Sequence, residues 1–188
     1  MSTIGVNIAI LEGDQVLLTL REDFEVWCLP GGAADEGESL AQAALREARE
    51  ETGLVVELTR LVGIYSRPNW HEDGSHIAVF AARALGGTLQ TQPDEVLQAE
   101  FFSEEELPKP LLFGQLQRIL DALHGVTGVV WTQNDHWPFA RDLSRAELYA
   151  LRDRSGLSRR EFYLQTFGHL HPKEEQLEVI PCRQKVEV

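Results

Sequence analysis

Hydrophobic and polar residues alternate along the first part of the chain in a way that predicts short strands separated by turns. Residues 3–11 and 15–20 are apolar runs joined by Glu12-Gly13-Asp14. Acidic residues around a glycine favour a tight turn, so we expect a β-hairpin here. Further strand-like runs cover residues 54–65 and 76–84, with a polar loop between them.

Helical segments are expected between and after these strands. Residues 39–52 are rich in Ala, Glu, Arg and Leu, lack Pro and Gly, and are followed by Gly53, a residue typical of helix C-termini. Residues 95–102 have the pattern of another strand, and residues 112–123 that of a closing helix. Strands and helices mixed in this order predict an α/β or α+β layered domain.

The composition changes beyond residue 125, because seven of the 15 aromatic residues lie between positions 129 and 167. Two helices are expected near 144–154 and 158–167, each opening after a serine that can cap it. Aromatic side chains in this number need burial. We therefore expect a domain over 1–125 and a mainly helical extension over 126–188, packed on that domain or on a second subunit of a homodimer.

The net charge of the chain limits the classes of partner that it can bind. It has 17 Lys and Arg against 30 Asp and Glu, a formal net charge of −13, and the first 110 residues hold 7 of those bases and 20 of those acids. Such acidity repels nucleic acid and anionic membranes. No apolar run approaches the roughly 20 residues that a membrane helix needs, and a secretory signal is not recognisable, so we expect a cytoplasmic protein. Cys28 and Cys182 form no metal or redox motif, and we expect reduced thiols.

The helix predicted over 39–52 has an acidic face. Glu47, Glu50 and Glu51 are spaced three and four residues apart, so their carboxylates fall on one side of the helix. Like charges at this spacing destabilise a helix, and negative charge in the last turn opposes the helix dipole. A solvated acidic face is one explanation, and a bound divalent cation is the other, because Mg²⁺ prefers carboxylate oxygens.

A longer pattern favours the cation. The chain reads Gly32, five residues, Glu38, seven residues, Arg46-Glu47-Ala48-Arg49-Glu50-Glu51-Thr52-Gly53-Leu54. This Gly32–Leu54 motif resembles the signature of the Nudix (MutT-like) hydrolase family, and the resemblance extends over about residues 3–125. It implies an α/β Nudix fold, an α/β/α sandwich with a mixed β-sheet, followed here by the C-terminal extension.

The resemblance also implies a metal site. Glu47, Glu50 and Glu51 would bind Mg²⁺ or Mn²⁺, and the backbone carbonyl of Gly32 would complete the coordination. Glu38 and Arg46 would form a structural pair that holds the loop onto the helix.

A further carboxylate from a later loop often serves this family as an extra ligand or general base. Glu95 is the candidate in this chain, with Asp94 and Glu100 as competitors. The implied reaction is the attack of water on a pyrophosphate that links a nucleoside to another group, with Glu47 or Glu95 taking the proton.

Substrate contacts are less well determined by the sequence. Arg21 and Arg67 could contact phosphate or sugar, or could be surface residues, and Trp70 is a better candidate for stacking on a base than Trp27, which we expect in the core. ADP-ribose or a nucleotide sugar is the first substrate considered, and a nucleoside triphosphate the second.

A regulator is the rival hypothesis. Residues 143–162 resemble a helix-turn-helix, and residues 141–161 hold six Arg and four acids. A nucleotide-sensing module without catalysis would use these helices on DNA, whereas packing against the hydrolase domain is the simpler interpretation.

Overall fold

A computed structural model describes residues 3–92, 94–134, 136–168 and 175–179. Within these ranges the chain forms eight strands and four α-helices. The strands are β1 (Thr3–Glu12), β2 (Gln15–Arg21), β3 (Trp27–Cys28), β4 (Leu54–Arg67), β5 (Ser75–Gly87), β6 (Val96–Phe102), β7 (Val129–Gln133) and β8 (Glu175–Val179). The helices are α1 (Leu40–Thr52), α2 (Gln115–Leu123), α3 (Arg145–Arg154) and α4 (Arg159–Thr166).

The strands form one mixed sheet in the order β3-β2-β1-β5-β4-β7-β8, with β6 paired to β2. The predicted hairpin is present, since β1 and β2 pair at Leu11 with Val16 and at Glu12 with Gln15. Strand β1 then runs parallel to β5, and β4 runs antiparallel to β5. The hairpin β1–β2 is thus part of a larger mixed sheet, and helices can pack on both faces of that sheet.

Consecutive residues of β1 point to opposite faces of the sheet, as the strand geometry requires. Ile8 packs with Ala44 and Ala48 of α1 on one side. Ala9 packs with Ile119 of α2 on the other side. The result is an α/β/α sandwich with a mixed sheet, which confirms the fold class expected from the sequence.

Helix α1 begins and ends where its sequence signals indicate. Ser39 caps the N-terminus in a capping box with Gln42, and Gly53 at the C-terminus adopts a left-handed conformation with a φ of 71°. Helix α2 is shorter than the predicted 112–123, because Leu112 donates its N–H to Trp27 of β3 and so extends the sheet instead. Trp27 is buried in the core, as expected.

Two strands beyond residue 125 are not anticipated by the sequence analysis. Strand β7 pairs in parallel with β4, and β8 pairs with β7, so this part of the chain continues the main sheet. The described part of the extension holds the two expected helices, α3 and α4, and two strands in addition. Gly63 of β4 allows the pairing, since a methyl group on it would lie 2.5 Å from the Val129 carbonyl oxygen.

Helices α3 and α4 lie within a residue or two of their expected bounds, and Ser144 and Ser158 cap them. Phe162 and Tyr163 of α4 pack with Phe24 and Trp70, and the half-buried Tyr149 of α3 packs against the same cluster. These aromatic residues of the extension are thus packed against the same chain. Of the two cysteines, Cys28 is buried as a free thiol, and Cys182 lies outside the described residues.

Candidate active site

The acidic face of α1 meets the Pro30-Gly31-Gly32 turn beside strand β1. Ile8 and Val6 of β1 donate their N–H groups to the carbonyls of Pro30 (2.9 Å) and Gly32 (2.8 Å), which fixes the turn against the strand. The N–H of Gly31 donates to Oε2 of Glu51 at 3.0 Å. The turn and the last part of α1 are therefore connected directly.

Gly32 packs against Glu47 so closely that no side chain fits. A methyl group on Gly32 would lie 2.3 Å from Oε1 of Glu47. The glycine of the sequence motif thus leaves room for a carboxylate. Its own carbonyl oxygen, which the sequence resemblance implicates in metal binding, accepts one hydrogen bond from Val6 and retains a second lone pair.

Glu47 and Glu51 are carboxylates in an unfavourable environment. Glu51 is 8% exposed, and burial raises its pKa to about 7, an effect that the hydrogen bond from Gly31 and the charge of Arg21 only partly offset. Burial also raises the pKa of Glu47, against the opposing effect of Arg46. Glu47 and Glu95 both add to the shift at Glu51, which places these acids in one electrostatic neighbourhood.

Arg46 holds the loop before α1 and also contacts the acidic face. Its Nε and Nη2 atoms donate to the two carboxylate oxygens of Glu38 at 3.0 and 2.9 Å. Its Nη1 atom donates to Glu47 at 2.8 Å and to Glu50 at 3.0 Å. Arg46 and Glu50 are four residues apart and are therefore neighbours on the helix surface, so Arg46 partly neutralises the acidic face.

The three candidates for an additional carboxylate lie at different places. Glu95 precedes β6, and its charge raises the pKa of both Glu47 and Glu51. Glu100 pairs with Leu18, whose side chain packs on the side of the sheet opposite α1. Asp94 is exposed in the turn before β6. This arrangement favours Glu95 over Glu100.

The donor chemistry suits a hard divalent cation, although the side chains do not converge. Among the residues that the structure describes, no three His, Cys, Asp or Glu side chains lie close enough together to form a metal site. Nη1 of Arg46 binds both Glu47 and Glu50, and the N–H of Gly31 binds Glu51, so all three carboxylates already have hydrogen-bond partners within the protein. Buried, mutually repelling carboxylates are nevertheless the groups that such a cation stabilises.

Arg21 and Trp70 line one cavity of about 290 Å³, which we call the aromatic cavity. Arg21 is fixed by Asp23, whose carboxylate accepts from its Nε at 2.9 Å and its Nη2 at 2.5 Å. Trp70 is 8% exposed and is packed against Phe113, with ring centroids 4.4 Å apart. Trp70 is therefore first a part of the core, and stacking on a base is restricted to what the cavity exposes.

Arg67 does not reach the position that the sequence analysis considers for it. It is 6% exposed, and its guanidinium lies over the rings of Trp70 at 3.8 Å and Phe113 at 4.2 Å. A phosphate could reach this guanidinium only if the aromatic rings moved. The structure thus supports a packing role for Arg67 rather than a substrate contact.

The aromatic cavity also contains residues that the sequence analysis does not identify. Asp23, Trp137, Arg145 and Tyr149 contribute to its walls. Asp23 lies two residues from Arg21, a weak signal that could have been noticed. Arg145 and Tyr149 lie more than 120 positions along the chain, and no local pattern indicates that α3 meets the end of β2.

Several arginines of the helix-turn-helix-like segment bind the rest of this chain. Arg152 donates to the carbonyl oxygen of Asp23 at 2.6 Å, Arg159 contacts Glu22, and Arg160 donates to the carbonyl oxygen of Lys109 at 2.9 Å. Side chains engaged in this way are not available for phosphates of DNA. The packing interpretation is favoured over the DNA-binding one.

A second, larger cavity of about 780 Å³ lies between the segment 109–114, α2 and α4. It is mostly apolar, and Leu116, Leu164 and Phe167 are among the residues that line it. None of the candidate site residues lines it. This larger cavity is separate from the acidic face, so it has no part in the candidate metal site.

Comparison with known proteins connects this arrangement to a family. The model of the NUDIX domain matches residues 1–123. A Bacillus subtilis (strain 168) protein named "Putative 8-oxo-dGTP diphosphatase" is 35% identical over 136 residues, which cover 72% of this chain and 89% of that protein. An ADP-ribose pyrophosphatase of Methanocaldococcus jannaschii is 34% identical over 129 residues, 66% of this chain and 75% of that protein.

Solved structures agree with the sequence comparison. The crystal structure of an ADP-ribose pyrophosphatase from Streptococcus suis superimposes with a TM-score of 0.59 at 30% identity, covering 66% of this chain and 92% of that one. Among the described residues, no helix has the length and apolar character needed to cross a membrane. Helices α3 and α4 lie beyond the residues that the family model matches.

Proposed function

The chain belongs to the NUDIX family and is a hydrolase of phosphoric anhydride bonds, and we propose that it acts with Mg²⁺ on a nucleoside diphosphate linked to a further group. ADP-ribose or a nucleotide sugar is the first substrate class, and a nucleoside triphosphate the second. The observation that carries the proposal is the packing of Gly32 against Glu47 in the electrostatic neighbourhood of Glu51, where burial raises the pKa of both carboxylates despite the nearby charges of Arg46 and Arg21.

Glu47, Glu50 and Glu51 would hold the metal, Glu95 would add a ligand or act as the base, and the Gly32 carbonyl would complete the coordination. A bound divalent cation would neutralise the negative charge that develops on the pyrophosphate and would make water a better nucleophile. Mn²⁺ has similar preferences for oxygen ligands and could substitute.

The protein's own groups have distinct tasks in this proposal. Glu47 or Glu95 would accept the proton of the attacking water. Burial raises the pKa of Glu47, and a base works best when its pKa is raised toward the working pH. Asp23 binds Nε and Nη2 of Arg21, so Nη1 is the nitrogen that a substrate phosphate would meet. Arg46, held by Glu38, would keep the loop before α1 in place during turnover.

Site-directed replacement tests the proposal. Glu50→Gln and Glu51→Gln should each abolish Mg²⁺-dependent hydrolysis, measured by product analysis over a panel of ADP-ribose, nucleotide sugars and nucleoside triphosphates. Glu105→Gln, an exposed acid outside the acidic face, is the matched control and should retain the wild-type rate. Unchanged rates in both Glu50→Gln and Glu51→Gln, with folded protein by circular dichroism, would contradict the mechanism.

A further inference from the structure

The aromatic cavity is built jointly by the family domain and by the C-terminal extension. The domain contributes Arg21, Asp23 and Trp70, and the extension contributes Trp137 together with Arg145 and Tyr149 of α3. Because the family model ends at residue 123, the second set lies outside the part of the chain that this model matches. Whatever enters this cavity is therefore recognised in part by residues that the domain alone does not have.

The wall between the two parts is firmly connected. Tyr149 donates its hydroxyl to Asp23 at 2.9 Å, and Arg152 donates to the carbonyl oxygen of the same residue at 2.6 Å. Arg152 is buried, and its guanidinium also lies 4.7 Å from the ring of Tyr149. Such a connection fixes the cavity before a ligand arrives, which reduces the entropy lost on binding.

Arg21 links the cavity to the acidic face. It lines the cavity, and its charge acts on Glu51 of α1. A phosphate at Arg21 would thus lie between the carboxylates and the aromatic rings. A group attached to that phosphate would extend into the cavity.

The chemistry of the walls favours a planar ring. Trp70, Trp137 and Tyr149 present aromatic surface, and Arg145 is an exposed cation at the rim. Asp23 already accepts bonds from Arg21 and Tyr149, so its charge is neutralised. The volume of about 290 Å³ is at the lower limit for small-molecule sites, which suits one base rather than a whole dinucleotide.

We propose that the aromatic cavity binds the nucleobase of the substrate and that Arg145 of the extension contacts this base, so that α3 helps to determine specificity. The proposal rests on the proposed function, because it assigns one part of that substrate. Arginine suits this task, since its planar guanidinium both stacks on rings and donates hydrogen bonds to base edges.

Calorimetric titration with non-hydrolysable fragments tests the cavity without turnover. The probes are AMP, GMP, CMP and UMP, with ribose 5-phosphate as the fragment that has the same sugar and phosphate but no base. We expect at least one nucleotide to bind at least tenfold more tightly than ribose 5-phosphate. Equal affinities of ribose 5-phosphate and all four nucleotides would overturn the assignment.

Two variants of α3 test the contribution of the extension. Arg145→Ala should raise the Kd of the preferred nucleotide at least tenfold, leave that of ribose 5-phosphate within twofold, and raise KM with kcat unchanged. Arg154→Ala removes an exposed arginine of the same helix that does not line the cavity and should match the wild type in every measurement. Equal nucleotide affinity in the two variants would overturn the role of Arg145.

The outcomes separate this inference from the proposed function. Base-dependent binding without hydrolysis of any panel substrate would reject the proposed function and keep the cavity assignment. Hydrolysis of a panel substrate by a protein that binds ribose 5-phosphate as tightly as all four nucleotides would reject the cavity assignment and keep the proposed function.

Discussion

Replacing Gly32 with alanine should damage the site while sparing the fold. The added methyl carbon would lie 2.3 Å from Oε1, 2.7 Å from Cδ and 3.1 Å from Oε2 of Glu47. An ordinary contact needs about 1 Å more, so the carboxylate must move by about that distance. Because a displacement of about 1 Å at a reacting centre can cost roughly 10²-fold, we expect kcat/KM to fall by about that factor.

The cost in stability should be small, because the carboxylate is the free end of a flexible side chain. The carbonyl of Gly32 keeps its bond from Val6, and alanine also reduces the entropy of the unfolded chain. We expect the free energy of unfolding to change by less than about 1 kcal/mol.

Gly31→Ala is the matched control. Its φ is 153°, and a methyl group there would lie 2.1 Å from the backbone oxygen of Val6, which cannot move without disturbing β1. Backbone strain and overpacking together should cost about 3 kcal/mol or more, a fall in Tm of roughly 6–12 °C.

Thermal unfolding and Mg²⁺-dependent hydrolysis of the best panel substrate measure both effects. Gly32→Ala should retain the wild-type Tm and lose activity, and Gly31→Ala should lose Tm. Full activity in Gly32→Ala would show that the position of the Glu47 carboxylate does not matter. A loss of Tm as large as that of Gly31→Ala would show that Gly32 is needed for folding instead.

Three further measurements follow from the structure. Burial raises the pKa of Glu51 to about 7 from an ordinary 4.5, so the folded, metal-free protein binds a proton more readily than the unfolded chain, and its stability should fall as pH rises through that window. Glu51→Gln should flatten this part of the Tm-against-pH curve, and an unchanged slope would contradict the argument. The Tyr163 hydroxyl accepts a hydrogen bond from the N–H of Phe113 at 2.7 Å. Tyr163→Phe should therefore lower the free energy of unfolding, measured by urea titration, by about 1–3 kcal/mol. A change within experimental error would mean that water replaces the hydroxyl. Burial raises the pKa of the Cys28 thiol to about 11. In a Cys182→Ser background, the native protein should therefore react with Ellman's reagent at pH 8 far more slowly than the same protein in guanidinium chloride. Equal rates would count against the burial of Cys28.

The features that could be predicted from the sequence are those determined by near neighbours. Ser39 and Gly53 mark the ends of α1 because capping depends on a few adjacent backbone groups. Glu47, Glu50 and Glu51 share a face because helix periodicity places them there. The pairing of Glu38 with Arg46 is likewise short-range, and the resemblance to the family motif implies it.

The features that escaped prediction depend on distant partners. Strand β7 is only five residues long, and its pairing with β4 requires Gly63, more than 60 positions earlier. Arginine is usually a surface residue, but Arg67 is buried against Trp70 and Phe113. Trp70 lies in the loop after β4 and Phe113 lies just before α2, and these two segments come together only in the folded chain. Local patterns carry no information about such meetings, because long-range contacts are set by the packing of whole elements.

The net charge of −13 illustrates how the two kinds of information combine. Taken alone, it excludes anionic partners, because a uniform negative field repels them. The structure shows that the field is not uniform: Arg46 contacts Glu47 and Glu50, and Arg21 acts on Glu51 from the wall of the aromatic cavity. A small anion that approaches through that cavity meets the guanidinium of Arg21 before it meets the carboxylates of the acidic face. The excess of acid therefore argues against large polyanions and is compatible with one phosphorylated substrate that arrives together with a divalent metal.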